Sequence, residues 1–203
     1  MLSKTHLTVG VAAALAVCPA RAAGDLFAAV IGGALGGVLC DVECKDLPNP
    51  KDAFAGRIGA GALVVLLLAA DSIMQAGLWT SIRTQPLSPV IVGALIVILA
   101  ASLGHISTHR TFTHSLLYVA LLGLGFALIS PLLTAPVLAG GVSHLALDTL
   151  NKKSVPWLYP LIKKGFCFRL CRADKAANAA FFWLGLIASA ALLAWKFKIT
   201  IIP

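Results

Sequence analysis

Apolar residues fall into long blocks along this chain, separated by short charged or Pro/Gly breaks. Residues 58–79 and 87–107 both approach the roughly 20 that a helix needs to cross the hydrocarbon core. Residues 115–130 and 132–150 form an apolar pair divided at Ser130-Pro131, and 176–195 is the cleanest single run. Two shorter runs, 7–20 and 25–40, come first. They are split by Pro19-Ala20-Arg21 and read as a helical hairpin entering the membrane or as two short spans. The pattern predicts an all-α fold: a polytopic transmembrane helical bundle of about five to seven membrane segments. It forms a single integral membrane domain over 1–203, with a basic segment at 151–175.

Composition agrees. Of 203 residues, 59% are hydrophobic and 12% charged, with a mean hydropathy of +0.93, whereas a soluble domain carries roughly 25% charged residues. The 18 glycines suit membrane helices whose backbones approach closely. A formal charge of +8 would admit nucleic acid as a partner, but in so apolar a chain basic residues are topology determinants first. Nucleic acid is therefore set aside.

If every run crosses, His6, the 41–57 loop, the 108–114 loop and the 151–175 segment share one side. Of the 16 basic residues only Arg21, Arg83, Lys196 and Lys198 fall on the other, which puts the first side in the cytoplasm. Every His, Asp or Glu that reads as chemical falls on that side too, Asp25 and Asp71 excepted. Lys4, the following apolar run and Ala20-Arg21-Ala22 are similar to a signal peptide with its cleavage site. Pro19 and the central Arg21 make that site unconvincing, and residues 1–22 are read as retained.

Imidazoles and carboxylates beside a bilayer need a use or a partner. Neutral imidazole and carboxylate are also the nitrogen and oxygen ligands of a divalent ion. His144 and Asp148 are four apart, so on a helix one ion can reach both. The bland reading is a buried His bonded within its own helix. His109 and His114 are five apart and straddle the entry to a helix, with Thr113 or Ser115 as its cap. Between them Arg110 offers a fixed fork for a phosphate or carboxylate, or simply a charge at the headgroups. His105 shares a helical face with His109 but sits deeper in its run, as a supporting or structural residue.

Asp41 and Glu43 leave the glycine-rich stretch 32–37 and point the same way if extended. Alone they read as solvated surface, as does His6; company gives them weight. Cys40/Cys44 and Cys167/Cys171 form two Cys-x3-Cys pairs, a spacing unlike that of zinc knuckles, and Cys18 is single. A four-thiolate site is the lesser reading. Asp71 is either an intramembrane carboxylate or the end of a run that stops at Ala70.

Thr5-His6, the glycine-rich run into Asp41-Val42-Glu43, His109-Arg110-x-x-Thr113-His114-Ser115 and His144-x3-Asp148 occur here in that order. The chain thereby resembles the bacterial membrane-bound metal-dependent hydrolase family (LexA-binding, inner-membrane-associated hydrolases). The stretches from Asp148 to Lys153, Tyr159-Pro160, and Cys167/Cys171 on to Asn178 extend the likeness over nearly the whole chain. The resemblance implies a divalent metal site, a hydrolase and a bacterial inner-membrane location. Through a distant similarity to the zinc phospholipase C and nuclease group, it also implies phosphoester chemistry. One departure stands out. Family members tend to have Pro-Asp-x-Asp where this chain has Cys40-Asp41-Val42-Glu43, so the role of Glu43 is open.

The expectation is a multi-pass membrane hydrolase whose site faces the cytoplasm. His6, Asp41, His109, His114, His144 and Asp148 are the metal ligands, Glu43 is a ligand or general base, and Arg110 holds the substrate's anion. So many ligands suggest two divalent ions, zinc first among the candidates, and a lipid or lipid-linked phosphoester as substrate. The rival is a non-catalytic metal-binding membrane protein, a transporter or a scaffold whose basic 151–175 segment recruits a cytoplasmic protein partner or binds membrane lipids. A transporter needs polar groups through the membrane depth, and apart from Asp71 and His105 few are present.

Overall fold

The computed structural model describes residues 1–43, 50–108, 110–171 and 175–201. Its helices are α1 (Ser3–Val17), α2 (Ala23–Leu39), α3 (Pro50–Met74), α4 (Leu78–Arg83) and α5 (Leu87–Ile106). A 3-10 turn (Phe112–His114) follows, then α6 (Leu116–Ile129), α7 (Pro131–Thr149) and α8 (Lys175–Ile201). An isolated antiparallel bridge pairs Val155 with Phe166. The fold is the helical membrane bundle that the hydrophobic pattern predicts.

Among the described residues three helices are long and apolar enough to span a bilayer: Phe54–Met74, Leu87–Ile106 and Ala176–Thr200. Their outer faces leave Val65, Leu66, Ile98, Leu99, Leu184 and Ile187 more than half exposed, as residues touching lipid would be. The two N-terminal runs, weakest in the hydrophobic pattern, are not peripheral. α2 packs between α7 and α1, α8 lies along α1, and α5 pairs with α6.

Small residues make that centre possible. Without a hydrophobic drive between helices in lipid, association depends on close van der Waals approach. A Cβ added at Gly36 would run into the Val137 carbonyl and stand 2.7 Å from the Gly141 nitrogen. One added at Gly33 would meet the Gly10 carbonyl oxygen at 2.6 Å.

The short α4 apart, consecutive helices run alternately between two ends. At one end Leu2 N donates to Asn178 Oδ1 (3.0 Å) and Tyr118 Oη to the Leu39 carbonyl (2.9 Å). At the other, Ser81 and Ser130 hydroxyls lie 2.8 Å apart, and Lys196 Nζ donates to the Cys18 carbonyl. That buried Lys196 contact serves an unpaired carbonyl where α1 stops, and α8 continues beyond the boundary at 195 read from the charges. Asp25 Oδ2 likewise accepts from Arg21 N (2.7 Å) and Ala22 N (3.1 Å) at the start of α2.

Asp71 is a helix cap. Its carboxylate accepts from Leu78 N (3.0 Å) and Trp79 N (2.6 Å), the first amides of α4. The span expected to run to residue 79 therefore ends at Met74. Gly77, in the left-handed region at φ 119°, turns the chain into α4.

Gly36→Val should abolish the cooperative thermal transition in detergent, because two backbones would have to separate. Gly59→Ala, where nothing lies within 4 Å, should leave the transition unchanged. Asp71→Ala should cost about 1–3 kcal/mol in the same measurement, since two amide donors lose a charged acceptor.

Candidate metal centre

Four backbone elements bring the polar side chains together at one end of the bundle. His6 comes from the first turns of α1, Asp41 and Glu43 from the exit of α2, and His144 and Asp148 from the last turns of α7. His114 closes the 3-10 turn. Ser115 then caps α6, its Oγ accepting from Tyr118 N at 3.2 Å, which is the capping expected from the sequence. Tyr118 in turn ties Leu39 and so holds the chain that leads into Asp41.

His6, Glu43, His114 and His144 are fully buried, and Asp41 and Asp148 nearly so. His114 Nε2 and His144 Nε2 stand 3.3 Å apart. Asp41 Oδ1 lies 3.6 Å from His144 Nε2 and 3.7 Å from His114 Nε2. Asp148 reaches the same space from the other side, with Oδ1 3.4 Å from His6 Nε2 and Oδ2 3.4 Å from His114 Nε2. The His6 ring stacks on His144 with centroids 3.7 Å apart.

The tautomers follow from what lies behind each ring. His144 Nδ1 is 2.8 Å from the Gly37 carbonyl oxygen, which only accepts, so Nδ1 carries the proton and donates it there. Its Nε2 lone pair is left facing the cluster. His114 Nδ1 lies 3.1 Å from Glu43 Oε1, and Thr113 Oγ1 donates to the same carboxylate oxygen. Arg110 N donates to it as well, at 3.2 Å. Glu43 thus sits behind His114, where a carboxylate orients a ligating imidazole, rather than among the atoms that face one another.

Two observations test whether these residues fit a metal ion. His6 is buried, yet neither of its ring nitrogens has a hydrogen-bond partner among the described residues. The separations of Asp41 Oδ1, His114 Nε2 and His144 Nε2 also match the roughly 3.3–3.6 Å edges of a tetrahedron with bonds of about 2.0–2.2 Å. Two sets, His6–His144–Asp148 and Asp41–His114–His144, each place three ligand atoms within 4.8 Å of one another, and they share His144. Both sets could hold a metal ion.

Charge is balanced within the cluster. Arg110 Nη2 pairs with Asp148 Oδ2 at 2.6 Å, and the Met1 amino group lies 2.6 Å from Asp148 Oδ1. Arg110 Nη1 donates to the Lys153 carbonyl at 2.7 Å, and its buried Nε has no partner among the described residues. Arg110 itself has φ 61°, a left-handed conformation that an L side chain adopts at some strain. Burial works against charge on His114, but its hydrogen bonds to Asp148 and Glu43 hold its pKa up at about 9. Burial would raise the Asp41 carboxyl, and the imidazoles of His144, His6 and His114 instead hold it below the usual range.

Of the residues singled out from sequence, His6, Asp41, Glu43, Arg110, His114, His144 and Asp148 meet at this one place; His109 lies outside the described residues. His105 is exposed, with Nδ1 3.4 Å from the Val42 carbonyl oxygen, apart from the cluster. Cys40 is buried against the Gly36 carbonyl, Cys167 and Cys171 turn toward the carbonyls of Lys152 and Leu150, and Cys44 lies outside the described residues. The Gly37 carbonyl and Tyr118 escaped the sequence reading. A backbone acceptor and an ordinary side chain carry no signal until their neighbours are known.

Residues 52–201 match the family model described as YdjM inner membrane protein. The chain belongs to the YdjM inner membrane protein family. That membership and the apolar helices place it in a membrane. The match takes in Arg110, His114, His144 and Asp148 and begins after His6, Asp41 and Glu43. The family's description names a location and no reaction. No curated protein and no solved structure matches the chain.

Glu43→Gln should weaken divalent-metal binding by about 10–100-fold while the protein stays folded, because His114 loses the carboxylate that fixes its ring. Competition with a fluorescent chelator reads the change.

Proposed function

We propose that this chain is a membrane-embedded metal-dependent hydrolase whose His/Asp site faces the cytoplasm and acts on a lipid or lipid-linked phosphoester. The observation that carries the reading is the pair of ligand sets sharing His144, one of them including His6, whose ring nitrogens make no hydrogen bond among the described residues. One catalytic zinc takes three protein ligands and keeps a position open, which either set supplies; because His144 has a single free lone pair, the five residues together would give one ion three ligands and a second ion two. Zinc is the first candidate because imidazole and carboxylate are its usual ligands.

When bound, such ions supply Lewis acidity and activate water. The chain's own residues supply the rest. The Gly37 carbonyl and Glu43 keep the Nε2 atoms of His144 and His114 aimed at the site, with Glu43 as a positioning residue. Arg110 stands over Asp148, its Nε–H without a partner among the described residues. It can meet a phosphate oxygen and stabilise the charge that develops as the ester bond breaks. The helices that surround the cluster keep bulk water from it, which strengthens these interactions.

Protein purified in detergent without chelator should carry about one to two divalent ions per chain and hydrolyse phosphodiester substrates. His144→Ala and Asp148→Ala should lose both properties. Metal without any hydrolysis would return the reading to a metal-binding transporter or scaffold. Metal-free protein, with both variants equally stable, would remove the site altogether. A phosphatase reporter fused after Pro203 should be active, because the alternating helices put that end opposite the site; a cytoplasmic signal there would reverse the orientation.

A further inference from the structure

The stretch between α7 and α8 has the composition of a core and none of its burial. Leu161 is 90% exposed and Leu170 75%; Leu158, Ile162, Phe166 and Phe168 are each about half exposed or more. Yet the segment is firmly held. Val155 is fully buried and exchanges two backbone hydrogen bonds with Phe166, at 3.0 and 3.2 Å. Phe168 N donates to the Thr149 carbonyl (2.8 Å) and Leu170 N to that of Leu150 (3.0 Å), capping the end of α7. The Trp157 carbonyl accepts from Leu116 N (2.8 Å), and Trp157 Nε1 donates to Thr149 Oγ1 (2.8 Å). The cysteines of this segment turn inward while Phe166, Phe168 and Leu170 face out.

An anchored segment does not expose six large apolar side chains to water without an apolar phase to receive them. Cations are interleaved with them: Lys163 and Lys164 at the tip, Arg169 between Phe168 and Leu170, and Lys152 and Lys153 at the base, all exposed. Residues 149–171 contain no Asp or Glu. The segment is fixed to the two helix ends that carry His114 and Asp148, and the exposed apolar faces of the spans continue from the same bundle.

We propose that residues 155–170 form a docking surface for anionic phospholipid, lying in the headgroup layer of the membrane that the helices span. The apolar side chains reach the top of the acyl region, and Lys163, Lys164 and Arg169 meet phosphate oxygens. Because Arg110 is bonded to the Lys153 carbonyl, this surface sets the metal centre at headgroup depth, a few residues from bound lipid phosphates. The surface stands apart from the hydrolase reading, since a metal-binding protein without activity would dock in the same way.

The test uses the full chain reconstituted in nanodiscs containing phosphatidylglycerol, with Cys44, Cys167 and Cys171 replaced by Ser. A spin label at Leu161→Cys should collide with oxygen more than with a water-soluble nickel chelate, as a label at the lipid-facing Leu99→Cys does. The variant Lys163→Gln/Lys164→Gln/Arg169→Gln should lose several-fold of its phosphatidylglycerol adducts in native mass spectrometry, with its thermal transition unchanged. A Leu161 label that meets the nickel chelate freely would overturn the proposal. So would adducts unaltered in the triple variant, or protection of the label that appears only as the chain dimerises.

Discussion

Helices α1, α2 and α7 cross with their backbones nearly touching, and that closeness sets everything at the polar end of the bundle. The Gly37 carbonyl accepts from His144 because α2 and α7 are separated at Gly36, Gly140 and Gly141 by no side chains. The same stretch of α2 lies against the backbone of His6, since a Cβ at Gly37 would strike the His6 carbonyl. Two imidazoles from different helices can stack at 3.7 Å because the helices carrying them approach this far. Wider spacing would leave the His and Asp side chains reaching across a gap that no single ion could fill.

Polar groups in a low-dielectric bundle are stable when paired. At the end away from the site the pairing is complete in kind: Asp71 takes the amides of α4, Asp25 those before α2, and Lys196 the carbonyl that ends α1. Each serves backbone groups at a helix terminus that have no partner within the helix itself. At the other end His6 Nδ1, His6 Nε2 and Arg110 Nε, which make no hydrogen bond among the described residues, gather around a buried set of three carboxylates, with His6 Nε2 3.4 Å from Asp148 Oδ1. The contrast within one molecule separates groups that complete helix ends from groups that face one another across a buried cluster.

The hydrophobic pattern located most of the helices because a membrane span needs about 20 apolar residues whatever its neighbours are. It misjudged their ends where polar groups decide them. Asp71 stops α3 early by capping α4, and Lys196 lies within α8 through a carbonyl on a helix far away in sequence. It also ranked α1 and α2 lowest, since their runs are short and split at Pro19-Ala20-Arg21, although these helices form the centre. Glycine counts there through what it leaves out.

At the site, His144 and Asp148 were legible as a pair because four residues make one helical turn. Alternating spans put the remaining candidates on one side before any geometry was known. The chain alone thus determined the membrane bundle, the end at which the polar residues gather and the residue types that gather there, because spacing and hydropathy are local properties. Tertiary structure decided their parts. Glu43 stands behind His114, the Gly37 carbonyl fixes the His144 tautomer, His6 stacks on His144 and faces Asp148, and Asp71 serves the fold. These assignments depend on which atom of one helix faces which atom of another, a distance that no sequence interval encodes.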